Sequence, residues 1–171
     1  MHYLLVNIFC ALTLSTTSPN AERAQQTLDA LYKYYAAPNT CLLRENYPSD
    51  QNNKATYLAS EEQAKRHNEY SYLWPYSGTF SAVNALLEST GNKKYKKLLE
   101  NKVLPGLEEY FDTRREPFAY SSYNSNQPLS DRFYDENVWL GIDFTDSYRM
   151  TKKQAYLEKP ELIWDIIFSG T

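Results

Sequence analysis

Apolar residues recur at three- and four-residue steps through most of this chain, a spacing that predicts helices rather than strands. Between Ala24 and Ala37, the positions Ala24, Leu28, Leu31, Tyr32 and Tyr35 mark an amphipathic helix that Pro38-Asn39 closes. A second runs from Tyr72 to Thr90: Trp74-Pro75-Tyr76 opens it with Pro in the first turn, Phe80, Val83, Leu86 and Leu87 carry its apolar positions, and Gly91 ends it. Tyr95, Leu98, Leu99, Val103, Leu107 and Tyr110 predict a third helix over Lys94 to Phe111, kinked at Pro105-Gly106. From Phe133 to Met150 apolar residues take up much of the circumference, among them Val138, Trp139, Ile142 and Phe144, so this fourth helix is expected to be buried and Trp139 with it. Gln154 to Phe168 predicts a fifth, where Pro160 should cost about 3 kcal/mol or force a kink. The alternation of Phe118, Tyr120 and Ser122 between Pro117 and Pro128 predicts one short extended piece. Cys41 to Tyr70 keeps no period, and a connection of that length is often functional.

Compared with itself at an offset of 61 residues the chain repeats: Tyr72-Leu73-Trp74 falls on Phe133-Tyr134-Asp135, Thr90 on Thr151 and Tyr95 on Tyr156. Each unit reads as a helix, a turn containing Thr and Lys, and a second helix opening on Tyr. Stacked helical hairpins of this period build α-solenoids or, when closed, α/α toroids. The expected fold class is all-α.

At 171 residues the chain is long enough for one domain with a sizeable core, or for part of a larger one. Its net charge of -3, with both signs interspersed, offers no basic footprint for nucleic acid or an anionic membrane. The sixteen tyrosines suggest a surface that stacks on and hydrogen-bonds to amphipathic ligands such as sugars. Residues 1–21 contain no Lys, Arg, Asp or Glu, and their apolar run from Tyr3 to Leu14 is too short to span a bilayer. They read as a secretory signal peptide, so export to the periplasm, the cell surface or the medium is expected. Without that segment only Cys41 and His67 remain of their kinds, which leaves no intrachain disulfide and no Cys/His zinc cluster. No metal or other cofactor is expected.

The chemistry concentrates at Phe133-Tyr134-Asp135-Glu136-Asn137-Val138-Trp139-Leu140, where two adjacent carboxylates stand among aromatics at the mouth of a helix. Adjacent acids repel, which pushes one toward a raised pKa. Retaining glycosidases use such an asymmetric pair about 5 Å apart, one acid protonating the leaving oxygen while its partner attacks the anomeric carbon. Acids in a first helical turn are also ordinary complements to the helix dipole, so the pair alone leaves both readings open.

The stretch from Tyr134 to Asp146 resembles glycoside hydrolase family 76, the α-1,6-mannanase family, where two consecutive aspartates precede Asn and a Trp. Leu43-Arg44-Glu45-Asn46-Tyr47-Pro48, Ser71-Tyr72-Leu73-Trp74-Pro75 and Val103-Leu104-Pro105-Gly106-Leu107-Glu108-Glu109-Tyr110 resemble further segments of bacterial members. The resemblance implies that residues 22–171 are the N-terminal part of an (α/α)6 toroid, a truncated catalytic domain made of helical hairpins. It implies retaining hydrolysis of α-1,6-linked mannan, with Asp135 as nucleophile and Glu136 as general acid/base. Trp74, Tyr76, Tyr134, Asn137, Arg44 and Tyr47 are the substrate-binding candidates, and α-mannan or a related oligosaccharide is the expected partner. Two departures point to reduced or absent activity. Glu136 carries its carboxylate one methylene further out than the family's Asp, and the chain stops at Ser169-Gly170-Thr171, where family members continue. The competing reading is a catalytically inactive helical module that binds glycan; a plain helical scaffold would rest on the repeat alone.

Overall fold

A computed structural model describes residues 18–49, 65 and 68–169. The chain is mostly helical, in the order α1 (Pro19–Tyr35), α2 (Leu73–Thr90), α3 (Lys93–Leu98), a π turn (Leu99–Val103), α4 (Leu104–Glu108), β1 (Phe111–Asp112), β2 (Ala119–Tyr120), α5 (Tyr134–Thr151) and α6 (Ala155–Ser169). Most of the region proposed as a signal peptide lies outside the described residues. Its last positions belong to α1: Ser18 is the N-cap, its hydroxyl accepting from the Ala21 N–H at 3.2 Å, and Ala21 itself is buried. Pro19 follows the cap, where its missing N–H costs the helix nothing.

The core runs through Leu28, Leu73, Tyr76, Phe80, Val83, Leu99, Leu107, Tyr120, Leu140, Phe144 and Ile163. It locks α2 against α1 on one side and against the α3–α4 segment and α5 on the others. The third expected helix is not one kinked rod. Pro105 has no N–H to donate, and the chain meets this with the five-residue π turn just before it, after which α4 ends at Glu108 and Phe111 joins a strand. Carbonyls loosened at that turn meet the buried Tyr76 hydroxyl, which lies 3.0 Å from the Val103 oxygen and 3.2 Å from that of Cys41. Gly106 stands directly against that hydroxyl, and a Cβ there would overlap it.

The extended piece is real and very short. Phe111 pairs with Tyr120 and Asp112 with Ala119 in an antiparallel two-stranded ribbon. Fully buried Asp112 anchors the intervening loop by accepting from Arg114 at 2.9 Å and Arg115 at 2.8 Å. Burial alone would raise its carboxyl, but the bonds from Arg114 and Arg115 outweigh that and hold it at about 2.

Helices α2 and α5 lie side by side and parallel, in a fixed register. The Ser81 hydroxyl donates to Asp143 Oδ2 at 2.6 Å, the Ser147 hydroxyl to Asn84 Oδ1 at 2.8 Å, and Arg149 to Glu88 at 2.6 Å. These partners are 62, 63 and 61 residues apart, so the offset seen in the sequence is the vertical register of the two helices. Both also end alike: Gly91 at φ 62° and Lys152 at φ 58° cap α2 and α5 with left-handed residues whose N–H groups bond back to Leu87 and Tyr148.

One expectation needs correction. Helix α5 is not buried all round: Val138, Trp139 and Ile142 are 38%, 51% and 47% exposed, because α2 and α6 cover only part of its circumference. Helix α6 continues through Pro160, which lies near its start, so that the interrupted hydrogen bond falls in the second turn.

Candidate active site

The first turns of α2 and α5 open at one end of the molecule. Helix α1 runs opposite to α2, so its C-terminal end arrives there too: the Arg44 N–H bonds to the Tyr35 carbonyl at 2.7 Å, and that of Ser71 to Leu43 at 2.8 Å. Neither α2 nor α5 carries a side-chain N-cap bond of its own. Helix α2 is instead held from outside, the Tyr72 N–H donating to the Glu45 carboxylate at 2.9 Å and the Leu73 N–H to the Ser122 carbonyl at 2.8 Å. The loop after β2 returns to the same place: Ser122 N–H bonds to the Asp131 carbonyl at 2.7 Å, and the Tyr123 ring lies 4.8 Å from that of Tyr72.

Asp135 and Glu136 occupy the first turn of α5, where unpaired N–H groups favour negative charge. Their surroundings differ sharply. Asp135 is exposed, and its Oδ1 accepts from the Glu136 N–H at 2.9 Å. The Glu136 side chain is buried, and its Oε2 has no hydrogen-bond partner among the described residues. Burial first, then the charges of Asp135 and Asp131, lift its carboxyl from 4.5 to about 7. A carboxyl so placed keeps its proton near neutral pH and can deliver it, while its exposed neighbour is free to meet an electrophile.

Of the other candidates, Trp74 and Tyr134 are each 49% exposed in the first turns of α2 and α5. The helix register sets Trp74 at the height of the acid pair. Arg44 and Tyr47 stand at the α1 margin of the same end. The Arg44 guanidinium donates to the Ser49 hydroxyl at 3.0 Å and lies 3.8 Å from Glu69, and the exposed Tyr47 ring rests 4.9 Å from Tyr34. Tyr76 and Asn137 are placed inside the fold. Burial raises the Tyr76 hydroxyl well above its ordinary range, and the Asn137 amide is used by the backbone: it accepts from the Tyr120 N–H at 2.9 Å and donates to the carbonyls of Tyr120 and Phe133. This pairing pins β2 to the start of α5, and so orients the acid pair without touching it.

One contributor went unread in the sequence, and a second, Trp139, reads there as a candidate subsite wall outweighed by a place in the core. Asp131 acts on Glu136 from the loop, and nothing in its spacing marks it. Trp139 carried a signal, because a residue four after Asp135 shares its helix face; the dense apolar pattern around it reads more readily as core.

No family model matches the sequence, and no curated protein matches it. Solved structures do. A family 76 glycoside hydrolase (mannosidase) from Bacteroides thetaiotaomicron is similar at 26% identity over 89% of this chain and 38% of its own, with a TM-score of 0.67. A family 76 glycoside hydrolase from a bovine strain of the same species is similar at 25% identity over 88% and 29%, with a TM-score of 0.64. A family 76 α-mannanase from Bacteroides thetaiotaomicron shares the fold at 19% identity and a TM-score of 0.69, over 90% of this chain and 37% of that one. The likeness to glycoside hydrolase family 76 thus spans nearly all of this chain, which covers less than two fifths of the length of each of these structures.

Proposed function

We propose, on the premise of this likeness to glycoside hydrolase family 76, that the chain is part of a retaining glycosidase acting on α-1,6-linked mannan. In this reading α2 and α5 are neighbouring inner helices of an (α/α) toroid whose mouth carries the acid pair. The observation that carries the proposal is the unlike environment of two adjacent acids: exposed Asp135 beside buried Glu136, whose carboxyl is raised to about 7.

In the first step the Asp135 carboxylate attacks the anomeric carbon of a mannosyl residue and forms an ester. The glycosidic C–O bond breaks, and its oxygen leaves with the Glu136 proton. Burial keeps that proton in place until the leaving oxygen arrives. Glu136, now ionised, takes a proton from water as the water attacks the same carbon; the ester breaks, Asp135 regains its carboxylate and the sugar leaves with its starting anomeric configuration.

Activity should be low, because the Glu136 carboxylate reaches one methylene further than an Asp would, and a misplacement of about 1 Å can cost on the order of a hundredfold in rate. Release of reducing ends from linear α-1,6-mannan tests this. Asp135→Asn should abolish release with the fold intact, and Glu136→Asp should raise it. Binding of mannan without turnover, unchanged by Glu136→Asp, would favour the catalytically inactive glycan-binding module instead.

A further inference from the structure

Along the open face of α2 a glycine stands where nothing in the fold asks for one. Gly78 is exposed in mid-helix, its φ is not in the left-handed region, and a Cβ built on it meets no atom within 4 Å. Packing and backbone geometry would both accept a Cβ there, and alanine or leucine favours a helix more strongly than glycine.

What surrounds it gives the missing side chain a use. Trp74 lies four residues before Gly78, one turn nearer the mouth on the same face. The pairs Ser81 with Asp143 and Glu88 with Arg149 fix the register at 62 and 61 residues, so Trp74 is level with Asp135 and Glu136, and Gly78 with Trp139. Trp139 is 51% exposed and one turn below Asp135 on the same face of α5. The seam between the two helices is therefore flanked by an exposed indole on each side, one turn apart in height, with bare backbone at Gly78. At its head sits the buried Glu136, whose Oε2 has no hydrogen-bond partner among the described residues. A buried polar atom left unpaired is costly unless something that comes and goes completes it.

We propose that this furrow between α2 and α5 is the seat of a sugar ring: Trp74 and Trp139 take the apolar faces of pyranose rings, and Gly78 leaves the depth for one of them to lie against the backbone below the acid pair. The inference rests on the glycosidase reading and adds to it two residues, Gly78 and Trp139, that set which ligand fits. A slot closed below by backbone admits a linear α-1,6-linked chain, whose rings are joined through flexible exocyclic carbons. It rejects a chain carrying a branch at the ring that occupies Gly78.

The test is calorimetric titration of the full chain with linear α-1,6-mannotetraose, in the Asp135→Asn background so that no turnover intervenes, with circular dichroism melting alongside. Gly78→Leu should weaken binding by roughly tenfold or more, with a melting temperature equal to or above that of the parent. Trp139→Ala should lose a similar factor, and Trp139→Phe should restore most of it. Unchanged affinity in both Gly78→Leu and Trp139→Ala would overturn the furrow and leave the glycosidase reading standing. Absence of mannotetraose binding by the parent and by the unsubstituted chain would overturn both.

Discussion

The two acids show how much of a site a sequence can carry. Adjacent carboxylates at a helix start are visible in Asp135-Glu136, and so is the expectation that one of them resists ionisation. The direction in which each side chain turns is not visible, because both positions fall near the edge of the apolar pattern, and tertiary packing decides that Glu136 goes in. The same holds for Asn137 and Tyr76, whose residue types suit sugar contacts but whose polar atoms are taken up by backbone groups that only the folded chain brings near. The burial of Glu136 has a thermodynamic signature. Its folded pKa of about 7 lies above the ordinary 4.5, so its contribution to stability is fully present below about pH 4.5 and is lost as pH rises through 7. At pH 8 the ionised, buried carboxylate costs the fold about 3 kcal/mol. Glu136→Gln should therefore stabilise the chain by up to about that amount at pH 8 and by little at pH 4, read by urea unfolding at the two values. A gain of equal size at both would mean that the carboxyl is not held protonated.

Among the elements, the long helices were legible from period alone, since α1, α2, α5 and α6 each carry a sustained apolar face. The α3–α4 segment was not, because a proline tells where an N–H is missing but not whether the chain answers with a bend or with a π turn. The turns that close α2 and α5 were half legible: Gly91 announced itself, whereas Lys152 takes the same left-handed conformation with a side chain that resists it. That strain is worth about 1 kcal/mol. The Lys152 ammonium lies 5.7 Å from the Tyr148 ring, and this exposed contact returns about 0.5 kcal/mol. Lys152→Gly should therefore stabilise the chain by roughly 0.5 kcal/mol, while Gly91→Lys should cost about 1 kcal/mol, both measured as shifts in the midpoint of urea unfolding. Equal and opposite effects would show that the lysine contact contributes nothing.

For the whole molecule the 61-residue offset proved the most informative feature, because a faint likeness between two stretches became the vertical register of two parallel helices and placed Trp74 level with the acid pair. The density of apolar residues along α5 misled for a related reason. The pattern of Val138, Ile142, Ile163, Trp164 and Ile167 is that of a helix pair covered on every side, and here it lines an open groove of about 350 Å³ between α5 and α6. Hydrophobicity in a sequence records which surfaces avoid water, and the fold settles which of them this stretch of chain can cover by itself. The acid pair depends less on such coverage, since Asp135 already stands exposed and Glu136 buried in the first turn of α5. A retaining mechanism passes through a covalent ester on Asp135, and even slow chemistry leaves that ester to be counted. The decisive measurement is to incubate the chain with a fluorinated α-mannosyl fluoride that retards the second step, and to read intact mass and peptide masses. One added fluoromannosyl group on the peptide carrying Asp135, absent from Asp135→Asn, is the expected result; an unlabelled chain, or a label that survives Asp135→Asn, would contradict the account.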